Sequence, residues 1–254
     1  MKRDAVPLEV VVVNLERSWE RRQQMTALLT PLGLSFSFFQ AVDGKAAHHP
    51  LFDRADQKLA EIRRGFTLNP GELGCFASHY LLWQRCVQDN RPLLIFEDDV
   101  AINDGFLEAY RLASERISRC GLIRFSGHKE RAYTLQETID DQWSIVRFFK
   151  GPHGTSCYAV SPKAAARLIA TASVWFEPVD CHLDRFWTHG VNSLAIFPYP
   201  VRHAADTEEQ SEIWQGTKRA PKSRRFRRWR ALYRARDDVG RFLANLPYSW
   251  RKSF

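Results

Sequence analysis

Leu93-Leu94-Ile95-Phe96-Glu97-Asp98-Asp99-Val100 runs four apolar residues straight into three successive carboxylates. The apolar half has the composition of a buried strand. A buried carboxylate must be neutralised, hydrogen-bonded or bound to a cation. Three in a row therefore belong just beyond the carboxyl end of a parallel strand, where open α/β sheets bind ligands. A hard divalent ion would be held there by oxygen and would bridge to the phosphates of a nucleotide. The competing reading is a solvated acidic turn after an ordinary strand.

Working outward, Leu8 to Val13 reads as a central strand, β-branched and nearly uninterrupted. Asn14 to Ser18 leads into a helical pattern from Trp19 to Leu29, with Ser18 as its N-cap. Polar groups between a first strand and its helix meet ligands at the sheet edge. Asn14 belongs to that set, and Arg21 and Arg22 carry planar donors suited to a diphosphate, although two arginines on a helix also describe a solvated face. Ser35 to Gln40 is a second strand, ending in the Asp43-Gly44 turn, from which Asp43 can reach a ribose or base. A short helix is expected near Ala55 to Ile62. Asn69-Pro70-Gly71-Glu72 is a helix-start signature for a helix to Asp89, apolar around most of its circumference. Ser78 and His79 are polar groups on that helix, and a satisfied core histidine is one reading of the latter.

Beyond the acidic cluster, Asp104 can cap a helix through Ser118, followed by strands at Leu122–Ser126, Ser144–Phe149 and Ser156–Val160. Ser161-Pro162 starts a helix through Thr171. Glu177-Pro178-Val179-Asp180 opens another that Gly190 closes, with Asp180 and Asp184 four apart on one face. They suit a base and its neighbour, or acids matching a helix dipole. Ser193–Phe197 is a late strand, and His203 lies in the loop after it.

Hydrophobic content of 44% and charged content of 26% are ordinary for a globular protein. No apolar run approaches the ~20 residues that cross a bilayer. The start leads directly into a strand pattern rather than a signal-peptide core. Five scattered cysteines without a CxxC pair argue for reduced thiols and a cytoplasmic setting, and against structural zinc. The formal charge of +8 is uneven: residues 218–254 carry +11 and residues 1–217 carry −3. That shift divides a catalytic domain, 1–217, from a basic amphipathic tail, 218–254. The tail sets arginines and lysines around Phe226 and Trp229 and continues through Leu232, Tyr233, Val239, Phe242, Leu243, Leu246 and Trp250. A helix of this kind suits the surface of an anionic membrane. Nucleic acid is the competing partner, but no recognition module accompanies the basic run and none is expected to bind.

Five motifs in order carry a resemblance. They are Val13-Asn14-Leu15 with Glu20-Arg21-Arg22, Gly71-Glu72-Leu73-Gly74-Cys75-Phe76-Ala77-Ser78-His79, Phe96-Glu97-Asp98-Asp99-Val100, Gly154-Thr155 with Tyr158-Ala159-Val160-Ser161, and Pro178-Val179-Asp180. Together they resemble glycosyltransferase family 25, which contains bacterial lipooligosaccharide galactosyltransferases and animal collagen galactosyltransferases. The resemblance spans residues 8–205. It implies an α/β fold of GT-A type, a Rossmann-like sheet with flanking helices. It also implies transfer of galactose or a similar hexose from a UDP-sugar to a lipid-linked glycan such as lipooligosaccharide, with inversion. Glu97 and Asp99 take the outer positions of a D-x-D-like motif for Mn2+ or Mg2+, with His203 as a third ligand. Asp180 becomes the base, with Asp184 second. Asn14, Arg21, Arg22, Asp43 and Asp98 serve the nucleotide, Glu72, Ser78 and His79 line the donor site, and Thr155 and Tyr158 flank the acceptor. The expected location is the inner face of the cytoplasmic membrane, held peripherally through the tail. A non-catalytic nucleotide- or glycan-binding protein on the same fold, and a metal-dependent nucleic-acid enzyme, are the alternatives.

Overall fold

The computed structural model describes residues 7–46, 48–204 and 225–248. Within them run β1 (Glu9–Asn14), α1 (Trp19–Leu29), β2 (Phe36–Gln40), α2 (Gln57–Arg64), α3 (Pro70–Gln88), β3 (Leu93–Glu97) and β4 (Val100–Ile102). Then come α4 (Phe106–Cys120), β5 (Leu122–Arg124), β6 (Tyr133–Thr138), β7 (Ser144–Phe148), β8 (Cys157–Val160) and α5 (Pro162–Thr171). α6 (Val179–Leu183), α7 (Phe186–His189), β9 (Leu194–Phe197), β10 (Val201–His203) and α8 (Arg227–Asn245) complete the order.

One sheet has the strand order β2-β1-β3-β8-β5-β9-β7-β6. β1 is parallel to β2 and β3, and β5 to β9, whereas β8 is antiparallel to both β3 and β5 and β7 to both β6 and β9. The sheet is therefore mixed. The carboxyl ends of β1, β2, β3, β5 and β9 share one rim with the amino ends of β7 and β8.

Alternation along the central strands builds two cores. Val10, Val12, Leu94 and Phe96 face α1 and α4 through Met25, Leu29, Phe106, Leu112 and Ile117. Val11, Leu93 and Ile95 face α3 and α5 through Phe76, Trp83, Ala165 and Leu168. Burial on both faces is why β1 and β3 read as unbroken apolar runs.

Several local expectations change. Asn69 and Glu72 do form the reciprocal capping box at the start of α3, but the Ser18 side chain makes no capping bond. Gly105, not Asp104, is the N-cap of α4. A 3-10 turn at Pro50–Arg54 and the Asp56 cap push the next helix to Gln57–Arg64. The helix expected from Glu177 to Gly190 is two short ones, parted at Asp184, whose carboxylate turns inward to Arg124. β4 and β6 come without sequence warning, and His203 ends a strand that pairs with β4, His203 opposite Val100.

Half of the tail's basic run, Lys218, Arg219, Lys222 and Arg224, and also Trp250, falls outside the described residues. α8 packs against α2 and α7. Its docked stripe is polar. Asp237 accepts bonds from Arg63 at 2.9 and 3.1 Å and from Arg185 at 2.8 Å to each oxygen. Arg230 is buried against the Glu61 carbonyl. At Gly240 an added Cβ would stand 2.8 Å from the Trp187 ring, so only glycine permits this approach. Near the helix end, Asn245 Oδ1 and the Ala244 carbonyl accept from the buried Arg147, which stacks 3.9 Å from the Tyr248 ring. The outward stripe carries Trp229, Leu232, Val239, Phe242 and Leu243, all more than half exposed. This inverts the usual surface helix, whose apolar stripe faces the core.

Candidate functional site

Two clefts open along the shared rim and meet at Cys75, Glu97 and Asp99. The first, about 740 Å³, lies over the ends of β1, β2 and β3, against the first turns of α3. The loop after β2 sits directly on α3. A Cβ at Gly44 would collide with the Pro70 carbonyl oxygen at 1.6 Å, and the Val42 N–H donates to Ser78 Oγ at 2.8 Å. Ser78 also donates to the Gly74 carbonyl, so its hydroxyl shapes the wall. Asp43 pairs with Arg17 and accepts from the Lys45 N–H.

Asn14 Nδ2 donates to Asp98 Oδ2 at 2.6 Å, and Arg21 to Asp98 Oδ1 at 3.0 Å. Asp98 thereby anchors the turn and aims Arg21 along the cleft, 3.6 Å from Asp99 Oδ2. Arg22, expected beside Arg21, instead stacks 4.1 Å over Phe38 and does not line the cleft.

Glu97 is held from several sides. Thr155 Oγ1 donates to Oε1 at 2.6 Å, Cys75 Sγ lies 3.7 Å away and His79 Nε2 3.5 Å away. Behind it, Trp83 Nε1 donates to Tyr158 Oη at 2.9 Å, and Tyr158 Oη lies 2.8 Å from His79 Nδ1. Indole only donates. The buried Tyr158 proton is therefore best satisfied by His79 Nδ1, which leaves the His79 proton on Nε2, facing Glu97. Burial alone would raise the Glu97 carboxyl, but the His79 ring N–H and the Thr155 hydroxyl facing it hold it below its ordinary value. Tyr158, expected at the acceptor, belongs to this buried relay.

Asp99 is the opposite case. Burial and the Glu97 charge push it up to about 6, against the pull of His203 and Arg21. Its Oδ1 is buried without a hydrogen-bond partner among the described residues, 3.8 Å from His203 Nε2. Ligand atoms of Glu97, Asp99 and His203 all lie within 4.8 Å of one another. Two carboxylates and an imidazole, with an orphaned buried oxygen between, suit a cation such as Mn2+.

The second cleft, about 1100 Å³, reaches from this junction to Asp180. Asp180 accepts from the Cys181 N–H at 2.7 Å and the Gly154 N–H at 3.4 Å, with His153 Nδ1 at 3.5 Å. Burial is outweighed by His153 and these backbone donors, which hold its carboxyl well below the usual range. Its side chain is 27% exposed, toward the cleft. Asp184 is 8% exposed and committed, accepting from Arg124 at 2.6 Å and from the His153 N–H at 3.0 Å. His153 has a φ of 59°, left-handed and unusual for a non-glycine, so the loop carries strain to present its ring between the two acids. Glu72, expected at the donor, lines this second cleft, with one carboxylate oxygen in the capping box.

Arg64, His128 and Lys129 also line the second cleft and escape the sequence reading. His128 Nε2 is 3.0 Å from Ser156 Oγ, and its ring packs edge-on against His203 at 4.7 Å. The signal existed: His128 follows β5 at the same rim, the rule that singles out Glu97.

A sequence profile described as glycosyltransferase family 25 (LPS biosynthesis protein) matches residues 8–183. A "Glycosyltransferase 25 family member" of Drosophila pseudoobscura pseudoobscura is 29% identical, covering 80% of this chain and 37% of its own. An "Inactive glycosyltransferase 25 family member 3" of Mus musculus is 34% identical over 80% of this chain and 38% of its own. The "Lipooligosaccharide biosynthesis protein lic2B" of Haemophilus influenzae is 31% identical over 37% of this chain and 34% of its own. This chain thus spans about two fifths of the length of the longer curated relatives it matches.

Proposed function

The chain belongs to glycosyltransferase family 25, and on that premise we propose an inverting, metal-assisted hexosyltransferase of GT-A type. The donor is a UDP-sugar, with galactose the first choice. The acceptor is lipooligosaccharide, lipopolysaccharide or another lipid-linked glycan. What supports this reading above all is that two clefts of different character meet at Glu97 and Asp99.

UDP occupies the first cleft, with Asn14 and Asp98 aiming Arg21 at the diphosphate and Asp43 near the ribose. Glu97, Asp99 and His203 hold Mn2+ or Mg2+, which supplies counter-charge for the departing diphosphate when bound. His79 and Thr155 keep Glu97 ionised and fixed. The acceptor enters the second cleft. Its hydroxyl oxygen forms the new bond to the anomeric carbon as the bond to UDP breaks on the opposite face, and the proton passes to Asp180. A carboxylate held this low is a modest base, so placement contributes more than proton affinity. Asp184, bound to Arg124, keeps the His153 loop in place.

The outward stripe of α8, with exposed Trp229, Leu232, Val239 and Phe242 and with Arg228 and Arg236 also exposed on the same helix, supports peripheral attachment to an anionic bilayer. No helix among the described residues is long and apolar enough to cross a membrane.

The name of the mouse relative favours a second reading, a non-catalytic binder of the same ligands. Full-length protein incubated with a panel of UDP-hexoses and Mn2+ separates them. Release of UDP from one donor, lost in Asp99→Asn, is expected. Tight UDP binding with no donor turned over, with or without glycan acceptors, would overturn the transferase reading.

A further inference from the structure

Behind the second cleft lies a third cavity of about 1210 Å³, walled on one side by α2, α6 and α7 and on the other by α8. It shares Arg64, His153 and Cys181 with the second cleft, so the two adjoin across these side chains. Its lining holds six arginines and lysines against four carboxylates. Those carboxylates are already engaged: Asp184 with Arg124, Asp237 with Arg63 and Arg185, Glu177 with Arg185 and Asp238 with Arg241. Among the described residues Arg64, Lys150 and Arg234 have no carboxylate in ion-pair distance, although Cys181, Glu177 and Asp180 lie near enough to raise Arg64 against its burial. Positive charge is crowded around Lys150. Lys150 is held below its usual value by partial burial and then by Arg241, Arg131 and Lys129. Phe176, Trp187 and Tyr233 complete the lining, their rings packed against the guanidinium groups of Arg63, Arg185 and Arg241.

We propose that this groove is a subsite for an anionic substituent, phosphate or carboxylate, on the acceptor glycan, held by Arg64, Lys150 and Arg234. The inference rests on the transferase reading for the word acceptor, and on the groove alone for the anion. It makes α8 a wall of the substrate site. A charged residue of the glycan would lie there while the hydroxyl to be glycosylated reaches Asp180 through the second cleft. A neutral glycan gains nothing from the three cations.

The test is calorimetric titration of the full chain, with UDP and Mn2+ saturating to occupy the first cleft. The probes are a hexose 6-phosphate, the matching hexuronate and the parent hexose. Binding of one or both anions is expected, weakened by 0.5 M salt, with the parent hexose at least about tenfold weaker. The phosphate and uronate arms tell which anion is preferred. Lys150→Glu with Arg234→Glu, two exposed positions, should remove the preference while the Kd for UDP stays unchanged. Equal binding of charged and neutral probes, or a preference that survives the double variant, overturns the subsite. UDP-sugar hydrolysis measured on the same samples reports separately on the transferase reading.

Discussion

Asp237→Asn removes the charge that fastens α8 to the body while keeping its shape. The carboxylate accepts four charge-assisted bonds between 2.8 and 3.1 Å from two arginines. Breaking a fully buried pair costs ~3–5 kcal/mol, and an exposed one less than about 1 kcal/mol. Asp237 is 23% exposed and its partners 12–13%, so a loss of about 2–3 kcal/mol is expected. At this chain length that lowers Tm by roughly 5–10 °C. The pH dependence has a definite sign. Burial would raise the Asp237 carboxyl, but the hydrogen bonds and charges of Arg185 and Arg63 hold it below its ordinary value. A depressed acid contributes stability above its unfolded pKa of about 4 and loses it as pH falls through the folded value. Thermal unfolding by calorimetry should therefore show the full gap at neutral pH and a closing gap in acid. A variant melting within a degree of wild type, or a gap that widens in acid, would refute the account of how α8 is held.

Asp180→Asn should lower acceptor-dependent transfer at least about 100-fold with UDP affinity intact, measured by turnover and titration; near-normal turnover removes it as the base. Asp184→Asn should instead lower Tm, since it leaves Arg124 buried without its counter-charge. A chelator should abolish transfer and Mn2+ restore it, and transfer indifferent to chelation would dismiss the metal role of Glu97, Asp99 and His203. Burial pushes Glu177 up to about 7 despite Arg185. A raised acid stabilises fully below its unfolded pKa and loses that contribution as pH rises through the folded value. Glu177→Gln should thus gain up to about 3 kcal/mol over wild type near pH 8 and nothing near pH 4, by urea unfolding; a less stable variant at pH 8 contradicts this.

What chemistry sets locally was legible in the sequence. Asn69 and Glu72 sit three apart because a helix start needs both donors met, and they form that box. Glu97 and Asp99 end an apolar strand because carboxylates cannot stay inside, and they stand at the rim. Long-range choices were not legible. Nothing in Cys157–Val160 says it runs against β3 and β5, since a strand buried on both faces reads alike in either direction. The periodicity that pairs Asp180 with Asp184 gives a shared face but not Arg124, sixty residues away, which claims only the second. In the tail, the amphipathic pattern was plain, but not that its polar stripe docks on the body.

That inverted helix governs how the protein behaves on the bench. In buffer without lipid or detergent, at least five large side chains of α8 face water. Concentrated samples should cluster through them, and a mild non-ionic detergent should disperse the clusters. Trimming the helix away would cure the stickiness and create a worse problem, stranding Arg63, Arg147 and Arg185 without the groups that quiet them. Solubility and integrity are thus set against each other by about two turns of helix on either side of Asp237.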